Sequence, residues 1–159
     1  MPNEMENAYN GFRFRVVIEG MYNLVFTEFR LPTLQVDTER IQEGGQNSYI
    51  HQLPVRVNVG TVTLRHGLSR DISLLNWYLD IMKGDLEKAY RQVSVTLVDS
   101  TSVPLVSWNF RNAYPIKWSG PSLKSDSSEI AIEEIEFVYH GFEVEVTPQR
   151  NGNVTGSQR

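Results

Sequence analysis

The sequence contains no cysteine. That absence removes disulfide staples, thiolate nucleophiles and cysteine-ligated zinc together, and it suits folding in a reducing compartment. A long apolar run is missing too. Arg13, Arg15 and Glu19 interrupt the N-terminal stretch, so neither a secretory signal nor a membrane-embedded segment is expected, and leaving a cell would need another route such as lysis. Basic charge is not in excess: 15 Lys+Arg against 19 Asp+Glu give a formal net charge of −4. A protein that neutralises a phosphate backbone needs a clustered basic face, so nucleic acid is disfavoured as the main ligand.

Chemical motifs are also lacking. His51, His66 and His140 stand 15 and 74 residues apart, with no HExxH or paired-histidine spacing. No GxSxG elbow supplies a serine nucleophile. Gly44-Gly45 is not followed by the lysine and hydroxyl of a phosphate loop, and reads as a flexible turn. Carboxylates recur at Glu129, Glu133, Glu134, Glu136, Glu143 and Glu145. Spacing of two along a strand puts such residues on one exposed face, so an acidic stripe is expected rather than an acid–base pair or a calcium site. The Asn153–Thr155 triplet fits the glycosylation pattern by accident of composition. The reading is a non-enzyme with no cofactor and no metal.

What is present is length and alternation. A chain of 159 residues suits one domain that buries roughly 70% of its unfolded surface. Residues 1–10 and 147–159 read as flexible polar arms around a domain at 11–146. Phe12, Phe14, Val16 and Ile18 share one parity opposite Arg13, Arg15 and Glu19, the pattern of a half-buried strand. The pattern recurs at Tyr22, Leu24 and Phe26, at Leu34 and Val36, at Val55, Val57 and Val59, and at Val93, Val95 and Leu97. Parity switches after Gly60, near Leu105 and Val106, and between Ile132 and Ile135, each predicting a bulge that helps the sheet curl.

One stretch departs from this rhythm. Leu74, Leu75, Tyr78, Ile81 and Met82 predict an amphipathic helix between Asp71 and Gly84, with Ser69 or Asp71 capping its start and Gly84 its left-handed exit. The fold class is mainly β, an antiparallel β-barrel or sandwich flanked by one α-helix. Trp77, Tyr78, Trp108, Tyr114 and Trp118 suit a core, a protein interface or a sugar-stacking platform.

The stretch WNFRNAYPIKWSGP, from Trp108 to Pro121, resembles the phage tail-tube family, which forms the inner tube of contractile phage tails and of phage-derived extracellular injection particles. Its marks are Trp108, Phe110, Arg111, Asn112, Tyr114, Pro115, Trp118, Gly120 and Pro121, with Tyr114 where the family more often has tryptophan. Five further blocks agree in order: FRFRVVIEG at 12–20, EGGQNSYIHQLP at 43–54, VTLRHGL at 62–68, the helix holding Trp77-Tyr78, and IAIEEIEFVYHGF at 130–142. They span most of the chain.

The resemblance implies a tail-tube-like subunit, six copies to a ring, with rings stacked into a hollow tube inside a sheath. Its partners would be copies of itself, the sheath protein, spike or hub and baseplate proteins, and transient cargo or DNA. It would be assembled in the bacterial cytoplasm and reside in a phage tail or extracellular phage-tail-like particle. By matching position, residues 42–54 are expected as a loop contacting the next ring, with Gly44 and Gly45 as its turn and Ile50, His51, Leu53 and Pro54 in the contact. Glu134 and Glu136 are candidates for the lumen face. FTEFRLPTLQVDT at 26–38 departs from the family's Gly/Ser-rich turn, and the chain runs on past His140 through Phe142, Val144 and Val146. A tube-initiator paralogue seated on the hub is therefore the second reading, and a carbohydrate-binding β-sandwich with exposed Trp108 and Trp118 the third.

Overall fold

The computed structural model describes residues 12–22, 24–41, 51–58, 60–126 and 128–148. The described residues form nine strands and two helices: β1 Arg13–Ile18, β2 Glu28–Arg30, β3 Gln35–Ile41, β4 His51–Asn58, β5 Val62–Gly67, α1 Ser73–Met82, α2 Leu86–Ala89, β6 Arg91–Val98, β7 Pro104–Ser119, β8 Ile132–Val138 and β9 Gly141–Val146. Every ladder between them is antiparallel, as the mainly β reading expected. The single turn α2 is an addition, too short to leave a period in the sequence. The expected arm at 1–10, most of the expected tail, and Gly44, Gly45 and Ile50 lie outside the described residues.

Seven strands make one sheet in the order β1-β6-β7-β8-β5-β2, with β9 also on β7, while β3 and β4 form a separate two-stranded ribbon. The 16-residue β7 is the spine. Its first half pairs with β6 and β9, its second half with β8, so the sheet divides into β1-β6-β7-β9 and β7-β8-β5-β2. Register shifts lie opposite Leu105, Arg111-Asn112 and Ile116 of β7. Each leaves β7 a residue longer than its partner, which bends and twists the strand.

The bend brings the two inner faces together. Phe110 and Phe137 meet edge-on with centroids 5.6 Å apart, and Trp77 of α1 lies 5.9 Å from Phe137. Phe29 of β2 reaches Phe14 of β1 at 6.2 Å and Trp108 of β7 at 5.9 Å. Aromatic packing, not a ladder, therefore joins the ends of the sheet, and the barrel stays open between β1 and β2.

Several expectations change. Tyr22, Leu24 and Phe26 form no strand, because Gly20 at φ +75° turns the chain just after β1. Their alternation reflects a segment laid over the sheet, with Phe26 buried and Tyr22 exposed. The switch after Gly60 is a change of sheet rather than a bulge, since β4 belongs to the ribbon and β5 to the main sheet. A Cβ on Gly60 would lie 2.4 Å from the Thr33 carbonyl oxygen, so backbone proximity explains this glycine. The switch near Leu105 is a true bulge. That between Ile132 and Ile135 does not exist: the β5–β8 register is unbroken, with Glu133 buried on the inner face and Ile132 turned outward. The buried stripe of α1 is Leu74 and Trp77, while Met82 is exposed. Asp71 Oδ1 accepts from the Ser73 N–H at 2.8 Å before the helix, and Gly84 takes the expected left-handed exit at φ +76°.

Candidate assembly interface

A strand edge carries unpaired N–H and C=O groups, so the edges of the sheet are where a second chain can add. Among the described residues, three strands of this sheet have one open side: β1 and β2 at the ends of the path, and β9 beside β7. The half-sheet β1-β6-β7-β9 holds two of them at its opposite margins. Its two faces differ sharply. The inner rows are Ile18–Val93–Phe110–Phe142, Val16–Val95–Trp108–Val144 and Phe14–Leu97–Val106–Val146. The outer rows are Val17–Ser94–Asn109–Glu143 and Arg15–Thr96–Ser107–Glu145. Ser94 Oγ donates to Asn109 Oδ1 at 2.8 Å and the Thr96 and Ser107 hydroxyls are 3.0 Å apart, so the middle of this face is neutral and internally bonded.

Apolar side chains collect at both margins. On β9, Val144 and Val146 are 49% and 71% exposed although their row neighbours on β7 face inward. Along β1, a groove of about 270 Å³ is lined by Val16, Ile18, Met21, Tyr22, Leu24 and Phe26 among others. Exposed apolar margins of this kind are candidate partner surfaces.

The motif residues of β7 set the bend. Phe110 and Pro115 are fully buried, and Trp108 and Trp118 are half-buried against the core. Asn112 sits at φ +49° beside a bulge, a conformation Asn tolerates better than most residues. Pro115, without an N–H to donate, sits where the ladder is already interrupted. Tyr114 lies against Tyr90 and His140 at 5.6 and 5.8 Å, and Arg111 extends to Glu143 at 3.1 Å. Gly120 and Pro121 follow the strand, with Gly120 against the Trp118 ring. No tryptophan stands on an exposed face among the described residues, which removes the premise of the sugar-platform reading.

The remaining expected positions are dispersed. His51, Leu53 and Pro54 lie on β4 of the ribbon, so the expected loop at 42–54 is already strand from His51 onward. Pro54 pairs with Thr38 and Arg56 with Asp37, leaving a bulge at Val55 next to the proline that cannot donate. Glu134 and Glu136 are on β8, in the other half of the sheet, and are partly buried by ion pairs to Arg65 and to Lys117, the latter at 3.7 Å. Glu134 is the main reason, and Glu28 the next, that Arg65 holds its proton more tightly than a free guanidinium.

Sequence reasoning assigned Glu133 to the solvated stripe, yet it is buried. Its Oε2 lies 2.5 Å from His66 Nε2 and its Oε1 accepts from Trp118 Nε1 at 2.5 Å. The signal was its shared parity with Ile135 and Phe137. The pair is 3% exposed on each side, closed to any substrate, and ties β5, β7 and β8 together. Among the described residues no group of three His, Cys, Asp or Glu is placed to hold a metal. No helix of the described residues is long and apolar enough to cross a membrane.

The fold recurs in solved structures. One described as the sheath–tube complex of an extracellular contractile injection system (PVC) in the extended state aligns at TM-score 0.74 and 23% identity, covering 85% of this chain and 89% of that one. A chain in the anti-feeding prophage (AFP) baseplate structure aligns at TM-score 0.70 and 19% identity over 86% and 93% of the two chains. Hcp1 from Flavobacterium johnsoniae aligns at TM-score 0.59 and 15% identity over 84% and 95%. No curated protein matches the chain by sequence. The family model of the T4-like virus tail tube protein gp19 matches residues 10–143, and the chain belongs to that tail-tube family.

Proposed function

We propose that this protein is a subunit of the inner tube of a contractile tail or extracellular injection particle, six copies closing into a ring and rings stacking into a conduit. One observation carries the reading: the half-sheet β1-β6-β7-β9 has an even number of alternating strands and an open edge at each margin. In such a sheet the two margins run in opposite directions. A copy rotated about the tube axis then lays its β1 against β9 of its neighbour with the antiparallel alternation preserved, and repetition closes a ring without edges. The relative in the six-fold symmetrised AFP baseplate suggests the number six.

The mechanism is passive, a stiff wall through which cargo or DNA passes. Its partners are further copies, a surrounding sheath, and a hub or baseplate at one end. We assign the conduit face to the outer rows of the half-sheet, whose central hydroxyls and amide are neutral and satisfied, rather than to Glu134 and Glu136, which are engaged by Arg65 and Lys117. The β3–β4 ribbon, together with residues 42–54, would reach the adjacent ring.

Purified protein viewed by negative-stain electron microscopy and sized by light scattering tests this. Rings or cylinders are expected, and persistent monomers at high concentration would count against it. The likeness to a baseplate chain supports a second reading, a tube initiator. An initiator would form single rings only when hub protein is added.

A further inference from the structure

Resting on the tube reading, we infer that the seam between copies is pinned by a charge ladder, Arg13 and Arg15 on β1 of one copy against Glu143 and Glu145 on β9 of the next. Apart from Arg111 on β7, which pairs with Glu143, the charges carried by these four strands on the outer face stand at its margins. Arg13 and Arg15 stand at the β1 margin, Glu143 and Glu145 at the β9 margin, and Ser94, Thr96, Ser107 and Asn109 fill the interval. All four charged residues are exposed or nearly so. Arg13, Arg15 and Glu145 have no ion-pair partner among the described residues, and Glu143 has only the exposed Arg111. No ion pair among the described residues accounts for opposite signs at opposite edges.

Strand addition accounts for them. With β9 laid antiparallel on a neighbour's β1, preserving the rows puts Glu145 directly beside Arg15, with Arg13 diagonal to Glu145 and Glu143 diagonal to Arg15. A slip of one would set the glutamates beside Phe14 and Val16 of the inner rows, and Val144 and Val146 beside the outer-row side chains of β1. Opposite charges facing across strands stabilise a pair and like charges destabilise it. The same rule discriminates between symmetries. A two-fold dimer through β1 sets arginine against arginine, and one through β9 sets glutamate against glutamate. Only the head-to-tail contact pairs opposite signs, so the edge charges steer the chain from closed dimers toward rings.

The test uses Arg15→Glu and Glu145→Arg, each in the full chain. Each variant alone has like charges at every seam and should need at least about tenfold more protein than wild type for half-assembly, read by light scattering. Mixed in equal amounts, the two should assemble again, because an alternating ring of even number pairs opposite charges at every seam. Misfolded chains would not rescue each other, and circular dichroism checks each fold. If either folded variant assembles alone like wild type, or the mixture stays dispersed, the charge ladder is wrong although the tube reading stands. If wild type never assembles, the tube reading fails and the ladder with it.

Discussion

Glu133 shows how one side chain can decide local stability. It accepts from Trp118 Nε1 and meets His66 Nε2, and all three strands that carry these groups depend on it. Glu133→Ala would leave the buried His66 Nε2 and the half-buried Trp118 Nε1 without this partner, at a cost of about 3 kcal/mol. Glu133→Gln keeps an oxygen for the indole and should lose less, and chemical denaturation of both variants checks the order. The half-buried Asp99 gives a pH-dependent case. Its carboxylate accepts from the Thr101 hydroxyl at 2.7 Å and from the Thr101 and Val103 N–H groups, and the hydroxyl, then the Val103 N–H, hold its pKa below the usual carboxylate value. A lowered folded pKa means that its contribution is complete above the unfolded pKa near ~3.9 and is lost as pH falls through the folded value. Asp99→Asn should therefore melt below wild type at neutral pH, and the gap should narrow in acid. An equal gap at both would exclude the carboxylate as its source.

Among the elements, β7 was the most legible in identity and the least in shape. Its aromatic-rich stretch carried the family signal, and the parity switch at Leu105 marked a bulge. The bulge at Arg111-Asn112 left no trace, because an exposed polar pair does not disturb an apolar pattern. Conversely, Ile132-Glu133 looked like a switch because an acidic residue took the inward position. Pairing partners were not readable at all: β1 with β6 and β7 with β9 are nonlocal, so no local spacing announces that Arg15 and Glu145 end the same row. The strain at Asn112 makes the bend testable. At φ +49° a β-branched side chain is unfavourable by about 1–2 kcal/mol, so Asn112→Val should lower stability while Asn112→Gly leaves it near wild type. Equal stability of the two would mean that β7 relaxes its bulge.

At the scale of the molecule, the fold separates into parts with different duties. The seven-stranded sheet with α1 holds the core from Ile18 to Tyr139, and its half-sheet margins are the open edges at which the proposed lateral contact would form. The β3–β4 ribbon pairs with itself and not with that sheet, and Gln35, Val36 and Thr38 at its start are exposed. A two-stranded ribbon is marginal alone in water, so in the proposed tube a neighbouring surface would have to receive it. If that surface belongs to the next ring, shortening the ribbon separates the two directions of assembly. Replacing residues 38–54 with a short Gly-Ser turn should leave the thermal transition of the dispersed subunit within a few degrees of wild type, because the main ladders are untouched. Rings should still form through β1 and β9. Electron microscopy should then show isolated rings in place of cylinders. Cylinders of normal length would reassign the inter-ring contact away from 42–54, and loss of rings would make the ribbon part of the lateral seam.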